Sequence, residues 1–230
     1  MPEYTKCPKC EAQYCYSDLK PENIAGTGFW SDGFYMAPLR KDIISFAKCP
    51  ACNTYFWLEE NSIPKPQDSS KINNIENSWP LDQIGSKEIN FIKDAFRAGL
   101  AINPEKEIVL RIKLWQVINH IIRKYDSQGL FKKIRLKIFE SNEYKDSHKQ
   151  YNSLSSIKIN NLIRLANLLK LDLSENPDNL LFAEIYRELG DFSKAMIFCH
   201  RAETTLQVDS NRILLLKEQI KIKSKTAYKI

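Results

Sequence analysis

The chain has 230 residues, 43% hydrophobic and 27% charged, with a net charge of +6, values ordinary for a globular protein. No stretch approaches the roughly 20 apolar residues of a membrane span, and the opening Met-Pro-Glu-Tyr-Thr-Lys-Cys lacks a basic-then-apolar leader, so a cytoplasmic protein is expected. Residues 1–66 carry 7 basic and 8 acidic side chains and residues 67–230 carry 27 and 20, so the first quarter is a poor surface for phosphate backbones.

Taken in chain order, the first signal is a matched pair of C-P-x-C knuckles, Cys7-Pro8-Lys9-Cys10 and Cys49-Pro50-Ala51-Cys52. Each pair clamps one side of a tetrahedral ion, so Cys7, Cys10, Cys49 and Cys52 are read as the ligands of a structural zinc site, and iron of the rubredoxin kind takes the same ligands. The proline shapes a turn whose amides point at the sulfurs. The position after each pair favours a left-handed backbone. It is held by Asn53, which tolerates that state, and by Glu11, a departure, so the second knuckle is expected to be the better formed.

Six cysteines with four in tight pairs suit a reducing compartment. A redox C-x-x-C requires a βαβ setting that this region lacks. A catalytic zinc requires an open position and usually a His or carboxylate ligand; the histidines, His120, His148 and His200, all lie in the second half. Cys15 is an alternative ligand by proximity, but its place between Tyr14 and Tyr16 favours a strand side chain. Cys199 reads as a core thiol.

Around the knuckles, Tyr14–Tyr16, Gly33–Met36 and Thr54–Leu58 are aromatic and β-prone. Ser31-Asp32-Gly33 is expected to be a hairpin turn. Trp30 and Tyr35 either present a binding loop or fill the core of a domain of about 60 residues, and the second reading is favoured. Gly26 and Gly28 do not make a phosphate loop, since no Gly-Lys-Ser/Thr or helix follows. Residues 61–80, with Pro64, Pro66 and Pro80, read as a linker.

The remainder is expected to be helical. Ser86 and Glu88 open a helix to about Ala98 with Ile89, Ile92, Ala95 and Phe96 on one face. Asn103-Pro104-Glu105 starts the next, 104–125, with apolar stripes on two sides that mark it as central. Asn119 interrupts one stripe. A buried amide tying helices together is favoured there over a polar group in a groove. Further helices are expected near 129–147, 154–171, 177–189, 191–206 and 209–223.

Residues 179–206, NLLFAEIYRELGDFSKAMIFCHRAETTL, resemble a tetratricopeptide repeat. Ala183, Ala195 and Ala202 are the small crossing residues, Tyr186 the aromatic and Gly190-Asp191-Phe192 the turn; Cys199 and Gln207 depart from the pattern. One such unit cannot bury its own face, so neighbouring helices must stack on it. The whole order, paired C-P-x-C knuckles followed by tetratricopeptide-like helices, resembles a group of bacterial proteins of uncharacterised function, most of all in AEIYRELGDFSKA. The resemblance implies architecture, not activity.

The fold class expected is therefore α+β: a β-rich zinc-ribbon-like domain over 1–60, a linker over 61–80 and an all-α tetratricopeptide-like array over 81–230. The function expected is a non-enzymatic, zinc-stabilised interaction protein whose helical groove binds another protein. The alternative is a zinc-ribbon nucleic-acid binder using Arg123, Lys124, Lys132, Lys133, Arg135 and Lys137, with Lys221, Lys223, Lys225 and Lys229; solvated helix faces explain those charges equally well. An enzyme whose site is assembled from scattered residues ranks last.

Overall fold

The alternation of β-prone and polar residues around the knuckles dictates short strands, and the computed structural model contains them. It describes residues 2–17, 28–33, 35–36, 41–68, 72–75, 78–80, 84–126, 142–171, 178–204 and 210–228. Within these, an α+β chain runs from ten short strands into six helices. By internal contacts it divides into unit 1, Met1–Gly28 with Tyr35–Lys106, and unit 2, Phe29–Phe34 with Glu107–Ile230.

Unit 1 is built on β1 (Pro2–Lys6) and β2 (Gln13–Ser17), an antiparallel pair in which Tyr4 faces Cys15 and Thr5 faces Tyr14. The strand β8 (Ser62–Ile63) adds to the outer side of β1, and β9 (Asn73–Asn74) runs parallel to β2. Two-stranded ladders are formed by β3 (Gly28–Phe29) with β4 (Tyr35–Met36), β5 (Lys41–Ile43) with β10 (Ser78–Pro80), and β6 (Phe46–Lys48) with β7 (Tyr55–Trp57).

The stretch 61–80, expected to be a linker, thus supplies β8, β9 and β10. Prolines and asparagines disfavour strands in isolation, but edge positions beside β1, β2 and β5 offer backbone partners that composition does not reveal. The Thr5 hydroxyl reinforces this edge by reaching the carbonyls of Leu58 at 3.2 Å and Asn61 at 3.0 Å.

Helix α1 (Ser86–Arg97) also belongs to unit 1, not to the helical array. The Glu88 carboxylate accepts from the Gly85 amide at 2.6 Å, and Gly99, at φ +77°, closes the other end. Its Ile89, Ile92 and Ala95 are buried, and Phe91 meets Phe46, Tyr55 and Trp79 at ring distances of 5.2–5.7 Å. Aromatic area substitutes here for a large aliphatic core.

Helix α2 (Pro104–Asp126) has Leu110, Leu114, Trp115, Val117, Ile118 and Ile122 buried, the two-sided pattern expected of a central helix. Helix α3 (Asn142–Leu171) is continuous across 148–153, where the sequence reading ended one helix and started another. No Gly or Pro interrupts it, and the rest of the expected 129–147 helix lies outside the described residues.

Unit 2 is completed by α4 (Asn179–Leu189), α5 (Phe192–Glu203) and α6 (Ser210–Lys221). Gly190, at φ +84°, ends α4, and the Asp191 carboxylate caps α5 by accepting from the Lys194 amide at 3.1 Å. Ala183, Ala195, Cys199 and Ala202 are fully buried between the helices. A second cluster joins Trp115 of α2, Leu162, Leu165 and Ala166 of α3, and Ile185 of α4. Among the described residues no helix is long and apolar enough to cross a membrane.

Candidate metal centre

Each knuckle is a closed turn fixed by its own backbone. In the first, the Cys7 amide donates to the Ala12 carbonyl at 2.9 Å and the Glu11 amide to the Cys7 carbonyl at 3.0 Å. In the second, the Cys49 amide donates to Thr54 at 2.8 Å and the Asn53 amide to Cys49 at 2.8 Å. Glu11 and Asn53 both stand at φ +60°. The expected difference between the knuckles is absent: Glu11 adopts the left-handed state that Asn53 does, at a cost on the order of 1 kcal/mol for a side chain with a Cβ. Two converging backbone bonds hold it there.

Strand β2 leads from the first knuckle and β6 runs into the second, and the two loops face each other. The Cys7 and Cys52 sulfurs lie 3.6 Å apart, as do those of Cys10 and Cys49. All four Sγ atoms fall within 4.8 Å of one another. A disulfide brings sulfurs to about 2.05 Å, so these are four thiols. A tetrahedron with metal–sulfur arms of about 2.3 Å has edges of about 3.8 Å, which the observed spacing fits. The cluster can hold a metal ion. Cys7 and Cys49 are buried, Cys52 half-buried and Cys10 exposed.

Four adjacent thiols cannot all ionise without a cation among them. The Thr54 hydroxyl, 3.3 Å from the Cys52 sulfur, and the Thr54 amide bring Cys52 down to about 6. Burial opposes ionisation of Cys49, but the Tyr14 hydroxyl at 3.3 Å and the amides of Cys52 and Ala51 outweigh it and lower that thiol. Burial pushes Cys7 up. The Ala12 amide favours the Cys10 thiolate, yet desolvation and the three neighbouring thiols raise Cys10 to about 12.

The remaining candidates are placed as follows. Cys15 sits on β2, half-buried, and is not in the sulfur cluster. Cys199 is fully buried, with burial raising its thiol to about 11. His200 is exposed beside Glu203 at 3.0 Å, and no histidine joins the sulfurs among the described residues. Of the basic cluster, Arg123 is paired with Asp32 at 2.9 Å, while Lys132, Lys133, Arg135, Lys137 and Lys229 lie outside the described residues. Trp30, expected to fill the core around the knuckles, belongs to unit 2, where the Arg123 guanidinium stacks on its ring at 4.3 Å. Tyr35 has no described side chain.

Sequence reasoning missed a buried charged network in unit 2. Asn119, 1% exposed, donates to Asp32 at 2.9 Å and to Glu188 at 3.1 Å; Lys158 meets Glu188 at 2.7 Å; the Trp115 indole donates to Glu188 at 2.9 Å. Arg187 donates from Nε to Glu184 at 2.9 Å, both residues buried. Burial raises Glu184, whereas Lys158 and Arg187 overcome burial to lower Glu188. The Asn119 amide is indeed a buried tie, though it joins α2 to α4 and to a turn far back in the chain. Only its position inside an apolar stripe signalled this in the sequence. In comparisons with protein-family models, with curated proteins and with solved structures, nothing matches this chain.

Proposed function

We propose that the four cysteines hold one structural zinc ion that closes unit 1, and that the protein is a non-enzymatic scaffold whose helical unit binds another protein. The observation that carries the first part is the all-sulfur cluster at near-tetrahedral spacing. Four thiolates fill the coordination of zinc and leave no position for a reacting water. They also leave a charge of about −2 on an already acidic segment, which favours a protein partner over a phosphate backbone.

The second part rests on the helices. Small residues at the α4–α5 crossing, with a left-handed glycine between, support a tetratricopeptide-like pair stacked between neighbours. Such stacks present grooves suited to protein segments.

Elemental analysis of purified protein is expected to return one zinc per chain, and Cys49→Ser to lose both the metal and the folding of unit 1. Strong visible absorbance with bound iron would replace zinc by iron. Full metal loading with an unchanged thermal transition in Cys49→Ser would end the structural-metal reading. For the scaffold, pull-downs with the whole chain are expected to recover a specific protein. DNA or RNA binding that weakens steeply with salt, with no protein recovered, would favour a nucleic-acid role instead.

A further inference from the structure

The described residues 29–33 group with unit 2, although the chain before Phe29 and from Tyr35 to Lys106 belongs to unit 1. They form a tight turn in which the Gly33 amide donates to the Trp30 carbonyl at 2.9 Å, with Gly33 at φ +75°. Asp32, 2% exposed, offers its Oδ2 to Asn119 Nδ2 and to Arg123 Nη1, each at 2.9 Å, and its carbonyl accepts from Gln116 Nε2 at 3.2 Å. Residues 116, 119 and 123 are spaced by three and four, so one face of α2 supplies all three donors. The Ser31 amide donates to the Tyr228 carbonyl at 2.9 Å, and the Tyr228 amide donates to the Ser31 hydroxyl at 3.1 Å. An acidic anchor, main-chain pairing and a stacked aromatic are the means by which domains hold extended partner segments.

We propose that this face of α2, together with the backbone at Tyr228, is a recognition site for an acidic segment of the pattern aromatic–small–Asp, occupied in cis by the protein's own turn. It rests on the scaffold reading and names the chemistry of the partner.

Two features point to a replaceable occupant. The buried Trp30 Nε1 of the turn and the buried Asn119 Oδ1 of α2 have no hydrogen-bond partner among the described residues, so the desolvation of both is left uncompensated. A segment that presents an N–H near the Asn119 oxygen, and whose aromatic carries no N–H to satisfy, fits this face better than the turn does. The anchor is also an expensive one: burial raises the Asp32 carboxyl against the pull of Arg123, and Glu188 adds to the rise. Buried ion pairs contribute specificity more than stability. A tethered turn competes at an effective concentration on the order of millimolar, enough to mask the site in the intact chain.

The test uses a fluorescent peptide with the sequence of residues 28–35 and the full chain. Asp32→Ala in the chain is expected to bind it at least about tenfold more tightly than wild type, the gain from removing a tethered competitor. Adding Arg123→Ala, or replacing the peptide's own Asp by Ala, is expected to abolish binding. A folded Asp32→Ala chain that ignores the peptide overturns the proposal. Should that variant lose its helical circular dichroism, Asp32→Asn, which keeps the side-chain shape, takes its place with the same criterion. Loss of helicity in both variants makes the turn a core element and also overturns the proposal. A recovered protein partner that the peptide fails to displace removes this site and leaves the scaffold reading; peptide binding with no partner recovered does the reverse.

Discussion

The tyrosine at position 14 does two jobs with one side chain. Its ring is buried in the unit 1 core beside Cys7 and Cys49, and its hydroxyl lies 3.3 Å from the Cys49 sulfur. Burial and that neighbour push the phenol up to about 12, so it remains a donor to the thiolate at neutral pH. Tyr14→Phe keeps the packing and deletes the donor. It is expected to weaken metal retention by about 1.5–3 kcal/mol, the range for a hydrogen bond to a charged group, in competition with a chelator of known affinity. Equal retention would mean that the hydroxyl plays no part in holding the metal. At this scale the sequence was readable where chemistry is local. The knuckles announce themselves by spacing, and Asn53 by its backbone tolerance. Asp32 was readable as a turn residue but not as an anchor, because Arg123 lies 91 positions away and the pairing exists only once α2 is in place.

Between elements, charge does part of the joining. Glu107 of α2 accepts from Arg164 of α3 through both oxygens, at 2.9 and 3.0 Å, and from Arg111 at 2.8 Å. Arg164 is the main cause that lowers Glu107, and Arg111 adds to it against the effect of burial. Its folded value lies below the unfolded one of about 4.3, so its contribution is fully present above that pH and is lost as pH falls through the folded value. Unfolding of the helical unit followed from pH 6 to 3 is expected to show this acid limb, and Glu107→Gln to flatten it by about 0.5–1 kcal/mol. A variant as acid-sensitive as wild type would assign the limb to other carboxylates. Elements were legible in proportion to their length. Helix α2 declared itself through two apolar stripes, whereas β8 and β9 have two residues each and exist because β1 and β2 offer free edges. The continuity of α3 was hidden by a polar run around Asn152-Ser153 that resembles a break but carries no helix-breaking residue.

For the molecule as a whole, the division into two units predicts unequal dependence on the metal. Unit 1 has short strands, one helix and the sulfur cluster at its core; unit 2 has two apolar clusters of its own. Structural zinc contributes on the order of 10 kcal/mol to small domains that bind it. A strong chelator is therefore expected to erase the near-ultraviolet signal of Trp57 and Trp79 while most far-ultraviolet helicity persists, giving two thermal transitions. Simultaneous loss of both signals would show one cooperative body instead.

The tie between Ser31 and Tyr228 also sets a clock. The two residues are 197 positions apart, and ribosomes add about 5–20 residues per second, so the first waits on the order of 10–40 s for the second to be made. The turn that carries Trp30 and Asp32 is thus made well before the residue that completes its hold. During synthesis its aromatic ring and carboxylate are open to whatever else is in reach, and any factor that delays the arrival of Tyr228 prolongs that window.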